Sequence, residues 1–166
     1  MPERFDRDVS LVVKAALNCA RRHGAAQVGG EHLLVGIAEV PSRASSTLAG
    51  LGADPSRLAD AVSRGAHDSR LLAGLGIDLA AVQRQVGNRL SARWITRRPR
   101  FRSDVKQALQ VSRHEARRLR TRRISGDHLM LGLLSSSVAA RELLLALDID
   151  PMDLRQRVLR ALIDGG

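Results

Sequence analysis

Two acid–histidine pairs are the first candidates for a chemical role in this sequence. Glu31 precedes His32, and Asp127 precedes His128. A carboxylate beside an imidazole can serve in general acid–base catalysis or contribute to a metal site. A metal site lacks its further ligands here, because the sequence has no HExxH motif and Cys19 is its only cysteine. We therefore interpret both histidines as structural and predict no catalytic residue and no metal.

Other motifs of catalysis are also missing from the sequence. There is no GxxxxGK[ST] loop, so a Walker A ATPase site is excluded. The serine clusters at 45–46 and 135–137 have no base at a recognisable spacing. The sequence therefore predicts a protein that is not an enzyme and needs no cofactor.

An internal repeat determines where the two acid–histidine pairs lie. A shift of 96 residues places the sequence on itself without a gap. The identities include Arg4 with Arg100, Phe5 with Phe101, Asp8 with Asp104, Gly30 with Gly126, Gly36 with Gly132 and Asp54-Pro55 with Asp150-Pro151. Self-similarity at a fixed period indicates two copies of one structural unit.

Each repeat is predicted to contain four helices. In the first repeat they cover about residues 6–23, a segment from Gly30, residues 43–51, and a segment that starts at Asp54-Pro55. Apolar residues at helical spacing support the first of them, and aspartate followed by proline is typical of a helix start. The whole sequence has only three large aromatic residues, so the core must be aliphatic, which favours helices.

The predicted fold is all-α, with two pseudo-symmetric four-helix repeats at 1–66 and 100–166 that together form one compact domain. The insert at 67–99 is partly helical, because 71–86 resembles another copy of the hairpin formed by helices three and four. Residues 87–100 are arginine-rich and are interpreted as an exposed linker. We expect each repeat to carry its own core, so deleting 93–98 should leave the fold intact.

The two helix-two turns carry a resemblance to a known family. They read VGGEHLLVGI at 28–37 and ISGDHLMLGL at 124–133, and each repeat begins with an aromatic, Phe5 or Phe101, before helix one. Together they resemble the Clp N-terminal (Clp repeat) domain, in particular the ClpC-type N-domain. With its extended linker and no ATPase module, the chain looks like a stand-alone actinobacterial Clp N-domain protein.

The resemblance implies a protein-binding module of the Clp protease system. Its partners would be Clp protease substrates, tagged proteins or the Clp unfoldase itself, and it would act as an adaptor, a decoy or a sequestering factor. Phe5 and Phe101 are candidate partner contacts by the same resemblance.

The resemblance also implies a candidate ligand, because ClpC-type relatives bind phosphoarginine at these turns. Glu31 and Asp127 match the acids that meet the guanidinium. Gly30 and Gly126, which stand where the family has threonine caps, would place helix-start amides near the phosphate. The alternative interpretation is that each acid only favours the helix dipole.

The residue after each aromatic distinguishes the two candidate sites by charge. It is Asp6 in the first repeat and Arg102 in the second, where the family has threonine. We expect Asp6 to repel a phosphate at Glu31 and Arg102 to assist one at Asp127. The sequence therefore predicts that phosphoarginine binds better at the second turn.

The positive net charge of the sequence suggests nucleic-acid binding as an alternative function. The sequence has a formal net charge of +10, and fourteen lysine and arginine residues fall between Arg84 and Arg123. Such a concentration is typical of nucleic-acid binding. The stretch has no known nucleic-acid motif, which favours a solvated face or a surface for an acidic protein. The lone cysteine, the absence of a secretory signal and the absence of a long apolar run predict a cytoplasmic protein without a membrane partner.

Overall fold

The computed structural model describes residues 4–73 and 100–165 of the 166-residue chain. Within them lie eight α-helices and two short β-strands, and the all-α prediction is confirmed. The elements are β1 (Arg4–Phe5), α1 (Arg7–Arg22), α2 (Gly30–Glu39), α3 (Arg43–Gly50), α4 (Pro55–Ala73), α5 (Ser103–Arg118), β2 (Arg123–Ile124), α6 (Gly126–Ser136), α7 (Val138–Leu145) and α8 (Pro151–Asp164). Each repeat contributes four helices, as the repeated sequence predicted.

Aspartate and proline set the start of the last helix in each repeat. Asp54 accepts a hydrogen bond from the Arg57 amide (3.0 Å), and Asp150 accepts one from the Met152 amide (2.9 Å). The proline that follows each aspartate has no amide hydrogen that would need a partner at the first helical position. The predicted starts of α4 and α8 are therefore confirmed.

The two repeats are joined at their entrances by short parallel pairings. Phe5 of β1 pairs with Ile124 of β2, which lies just before α6. A pseudo-equivalent bridge joins Val28, just before α2, to Phe101, and the Val28 amide donates to the Arg100 carbonyl (2.9 Å). The segment before helix one of each repeat therefore lies against the segment before helix two of the other repeat.

One aliphatic core runs through both repeats. α2 packs against α1, α3 and α4 of its own repeat and also against α6 and α7 of the other. The fully buried side chains are Leu33, Leu34, Ile37, Leu48, Leu58, Ile124, Leu129, Met130, Leu131, Leu133, Leu144 and Leu154. The two repeats therefore share one core, because α2 and α6 pack against helices of the opposite repeat as well as against helices of their own.

The predicted insert lies mostly outside the described residues. α4 continues to Ala73, past the predicted repeat boundary at residue 66. Most of the hairpin predicted at 71–86, nearly all of the linker at 87–100, and the deletion site at 93–98 fall in the part that the structure does not describe.

In the described ranges, no single helix has the length and apolar composition to cross a membrane. α6 and α7 meet that criterion only as a pair, and the two are bent by 95°.

Candidate functional site

The start of α2 holds an ion pair between the two repeats, which we call the first cluster (Glu31, Arg102 and Asp104). Glu31 lies in the first turn of α2, and Arg102 is the residue that precedes α5. Arg102 Nη2 lies 2.6 Å from Glu31 Oε2, and Nη1 lies 3.1 Å from Oε1. This two-bond geometry is the strong form of a guanidinium–carboxylate pair. Arg102 also donates to Asp104, from Nη2 to Oδ2 at 2.9 Å and from Nε to Oδ1 at 3.3 Å.

Asp104 connects this ion pair to the helix start. Its Oδ2 accepts hydrogen bonds from the Gly30 amide (3.1 Å) and from the Ser137 hydroxyl (2.7 Å). Burial by itself raises the pKa of Asp104, but the hydrogen bonds from Arg102, Ser137 and Gly30 outweigh it and lower the pKa to about 2. Asp104 therefore remains ionised and occupies the anion-binding position that the first amide of α2 provides.

Replacing Asp104 by asparagine should lower the free energy of unfolding at neutral pH by about 1–3 kcal/mol, because a charged hydrogen-bond acceptor is lost. The lowered pKa means that the contribution of Asp104 is present above its ordinary value of 3.8 and disappears as the pH falls toward about 2. Urea unfolding across this acidic range should show a steeper loss of stability for the wild type than for Asp104→Asn. Parallel pH profiles for the two proteins would contradict this role of Asp104.

The start of α6 forms a different arrangement, which we call the second cleft (Asp6, Asp8, Ser42, Arg43, Ser125 and Asp127). It is an open cleft of about 310 Å³ that Pro41 and Ala44 also line. Asp127 lies in the first turn of α6 and is only 3% exposed. Its Oδ2 lies 3.4 Å from Arg43 Nε, whereas Oδ1 has no hydrogen-bond partner within the described residues. The second cleft thus contains a buried carboxylate that is only half satisfied.

The other carboxylates of the second cleft make its field negative. Asp8 Oδ2 accepts a hydrogen bond from the Gly126 amide (2.9 Å), just as Asp104 does at the first helix start. Asp6 lies at the rim, where its Oδ1 is 3.6 Å from Arg123 Nη1. Burial raises the pKa of Asp127; Arg43 opposes this shift and the charge of Asp8 adds to it. A cation that enters the cleft would relieve this cost.

The predicted placement of the charges beside the two turns is wrong. Arg102 lies at Glu31 and not at Asp127, while Asp6 lies in the cleft of Asp127 and not beside Glu31. The reason is the exchange of entrance segments between the repeats, which brings the start of each helix one to the helix-two turn of the other repeat. Arg102 is therefore not placed to assist a phosphate at the second turn.

The helix caps also differ by one residue from the prediction. Gly29 and Ser125 occupy the cap positions of α2 and α6, so Gly30 and Gly126 are the first helical residues. A side chain at Gly30 would overlap Ser137, because the start of α7 lies directly against this turn. Both glycines offer amides at the helix start, but Asp104 and Asp8 accept from them.

Both histidines take part in the hydrogen bonds at the helix starts. His32 Nδ1 accepts a hydrogen bond from the cap amide of Gly29 (3.0 Å), and His128 Nδ1 accepts one from Ser125 (3.2 Å). Thr121 lies 3.0 Å from His128 Nε2. Burial lowers the pKa of both imidazoles, which keeps them in the neutral form that can accept these bonds. Among the residues that the structure describes, no group of histidine, cysteine and acidic side chains is arranged to hold a metal.

The two candidate partner contacts, Phe5 and Phe101, lie in the entrance pairings. Both rings are half-buried and pack against the core, and the guanidinium of Arg113 lies 5.0 Å from the centroid of the Phe5 ring. Their position indicates a contribution to the junction between the repeats. A direct contact with a partner stays a prediction.

Four side chains of the two sites were not recognised from the sequence. Asp8, Asp104, Arg43 and Ser137 lie at the helix-two turns of the opposite repeat or next to them. The match of Asp8 with Asp104 at the 96-residue shift was visible. This equivalence predicts that both aspartates lie at helix-two turns only when it is known which segments of the two repeats are in contact.

An all-α pair of joined four-helix repeats with an acidic side chain at each helix-two start defines the class of this protein. The sequence profile of the Clp repeat (R) N-terminal domain matches residues 4–70, 65–147 and 100–165. The chain therefore belongs to the Clp N-terminal domain family, the protein-interaction module of Clp chaperones.

Individual relatives agree with this membership. The chain is 34% identical to the chloroplastic chaperone protein ClpC of Pisum sativum and 28% identical to the chloroplastic chaperone protein ClpC3 of Oryza sativa subsp. japonica, with 96% of the chain covered in both comparisons. It spans only 15% of the length of either relative. Among solved structures, the N-terminal domain of ClpD from Arabidopsis thaliana superposes with a TM-score of 0.68 at 17% identity, covering 96% of this chain and 94% of that one.

Proposed function

We propose that this chain is a non-catalytic protein-binding module of a Clp protease system. It binds substrate proteins of the protease, or the Clp unfoldase itself, and acts in the cytoplasm as an adaptor, a decoy or a sequestering factor. The single observation that carries the proposal is the pair of acidic helix starts, Glu31 and Asp127, each placed where segments from both repeats meet. Sites built by two repeats suit recognition of another polypeptide, because several backbone segments are presented together.

The chemistry of these positions supports binding of basic groups. Each helix start combines two carboxylates, Glu31 with Asp104 or Asp127 with Asp8, and these are good partners for guanidinium groups. Phosphoarginine, the ligand that the resemblance implies, stays a prediction for this chain. The inference below compares it directly with arginine.

Binding of nucleic acid is the rival function, and the contacts of the basic stretch favour it less. Arg102 is paired with Glu31, Arg118 Nη2 lies 2.9 Å from Glu115, and Arg113 lies over an aromatic ring. Guanidinium groups that are already paired inside the fold contribute less to the release of counterions from a phosphate backbone.

Affinity capture of the tagged chain from its own cytoplasm tests the proposal. We expect Clp unfoldase subunits, or proteins that accumulate when the Clp protease is depleted, in the eluate. The double variant Glu31→Gln with Asp127→Asn should recover them about tenfold less well, which corresponds to a loss of about 1.4 kcal/mol in binding. The control is Asp153→Asn, which removes one carboxylate charge from an exposed i,i+4 pair with Arg157 (3.0 Å).

Two outcomes of this capture would contradict the proposal. One is an eluate dominated by nucleic acid, from which nuclease treatment releases the proteins. The other is equal recovery of Clp-related proteins by the wild type, the double variant and the Asp153→Asn control.

A further inference from the structure

We propose that the second cleft binds the unmodified guanidinium of an arginine in a partner polypeptide and discriminates against phosphoarginine. This inference rests on the protein-binding function proposed above and specifies the ligand of one of its two sites. It comes from comparing the second cleft with its pseudo-equivalent in the same molecule.

The first cluster shows how this architecture holds a guanidinium. The fork of Arg102 lies between Glu31 and Asp104, with nitrogen–oxygen distances of 2.6, 3.1, 2.9 and 3.3 Å. One of these carboxylates comes from helix two of the first repeat and the other from helix one of the second. The chain thus contains its own example of a bound arginine side chain.

The second cleft repeats the carboxylates of this example without its arginine. At the 96-residue shift, Asp127 corresponds to Glu31 and Asp8 corresponds to Asp104, but Asp6 stands where Arg102 would be. Asp8 accepts from the Gly126 amide, as Asp104 does from the Gly30 amide, so the backbone framework is the same. The guanidinium that completes the arrangement in the first repeat has no counterpart at the same position in the second.

Within the described residues, the carboxylates of the second cleft also accept fewer hydrogen bonds than those of the first cluster. Asp104 accepts from five donors, whereas Asp8 accepts, within the described residues, from the amides of Val9 (2.7 Å) and Gly126 (2.9 Å). Asp127 is 97% buried, lines the cleft and has an oxygen, Oδ1, without a partner in the same part of the chain. Buried polar atoms are nearly always paired in proteins, so an unpaired oxygen beside this cleft supports a ligand that supplies the missing donor.

The cations already near the second cleft do not complete it. Arg43 approaches Asp127 with its Nε edge at 3.4 Å, while its Nη1 donates to the Ala161 carbonyl at the end of α8. Arg123 meets Asp6 at 3.6 Å from the rim, where its side chain is 77% exposed. Neither cation donates a hydrogen bond to Oδ1 of Asp127, which is buried and stays without a partner within the described residues.

Arginine suits this cleft better than lysine or phosphoarginine. A planar guanidinium can donate to two carboxylates at once, while an ammonium is a compact and strongly hydrated charge. The phosphoryl group of phosphoarginine would bring its negative charge beside Asp6 and Asp8. The helix-start amide of Gly126 offers it no compensation, because Asp8 already accepts from that amide.

Titration of peptides into the isotopically labelled full chain, followed by NMR of the backbone amides, tests the inference. The probes are three capped pentapeptides of glycine with arginine, lysine or phosphoarginine at the centre. We expect the arginine peptide to produce saturable shifts at the amides of Ser125 and Gly126, and the other two to bind about tenfold or more weakly. Asp127→Asn should weaken the arginine peptide by about tenfold, and Asp153→Asn should leave it unchanged.

A second variant keeps the test informative if Asp127→Asn folds poorly. Asp6→Arg places a guanidinium at the position that Arg102 has in the first cluster, so the chain should fill its own second cleft. We expect this variant to lose the arginine peptide while its melting temperature stays equal to or above that of the wild type.

Three results would overturn the inference: phosphoarginine binding as tightly as arginine, arginine binding unchanged by Asp127→Asn and Asp6→Arg, or no shift with any peptide. None of these decides the protein-binding function, because affinity capture with the full chain tests that separately.

Discussion

Gly132→Ala is expected to lower the free energy of unfolding by about 3 kcal/mol or more, because α5 and α6 cross at this residue. A methyl group on Gly132 would lie 3.0 Å from the amide nitrogen of Ser112 and still closer to the carbonyl oxygen of Ala108. Both are backbone atoms of α5, so the clash is relieved only if the two helices move apart. Gly36 has the same position in the first repeat, where a methyl group would lie 2.6 Å from the Val12 carbonyl oxygen.

Gly65→Ala is the matched control for this substitution. Gly65 lies inside α4, and a methyl group there would meet no atom of the described residues within 4 Å. Alanine should stabilise this helix by about 0.5–1 kcal/mol through its higher propensity. Urea unfolding should therefore shift in opposite directions for Gly132→Ala and Gly65→Ala. A Gly132→Ala protein as stable as the wild type would show that the helices do not pack this closely.

The first repeat alone, residues 1–73, is expected not to fold cooperatively. Its β1 strand pairs with β2, its Gly30 amide donates to Asp104, and its α2 helix is covered in part by α6 and α7. Isolation removes all three interactions and exposes the apolar face of α2, and short helices are marginal in water without such packing. Far-UV circular dichroism should show a weak and broad thermal transition.

Adding residues 100–166 as a separate chain should restore helical signal and a sharper transition, because the missing interactions would form between two chains. A sharp thermal transition for 1–73 by itself would contradict the single shared core. It would instead support the separate cores that the sequence had suggested.

Local features of the fold could be predicted because they depend on neighbouring residues. Asp54-Pro55 and Asp150-Pro151 mark helix starts wherever they occur, and the apolar stripe of α1 repeats at helical spacing. The role of His32 and His128 at the helix starts also depends on neighbouring residues, since each ring accepts a hydrogen bond from the amide three residues earlier.

The composition of the two sites could not be predicted because it depends on contacts between the repeats. Glu31 and Arg102 are 71 residues apart in sequence and form a direct ion pair. Self-similarity shows which residues are equivalent, but it does not show which copies touch. Because the entrance segments are exchanged, Asp6 lies in the second cleft and Arg102 lies in the first cluster, which is the reverse of the prediction. The positions of these charges therefore do not support the prediction that phosphoarginine binds better at the second turn.

Site-specific photo-crosslinking at the second cleft tests whether partner polypeptides bind at the helix-two starts. A photoreactive residue would replace Pro41, which is exposed and lines the second cleft. The comparison position is Ser56, which is exposed at the start of α4 and does not line the second cleft.

We predict that irradiation of cells that produce the chain crosslinks the Pro41 position to polypeptides of the Clp system. The Ser56 position should give little product, and Asp127→Asn should remove most of the Pro41 product. Crosslinks to nucleic acid at the Pro41 position, or equal products at both positions that do not respond to Asp127→Asn, would contradict the account.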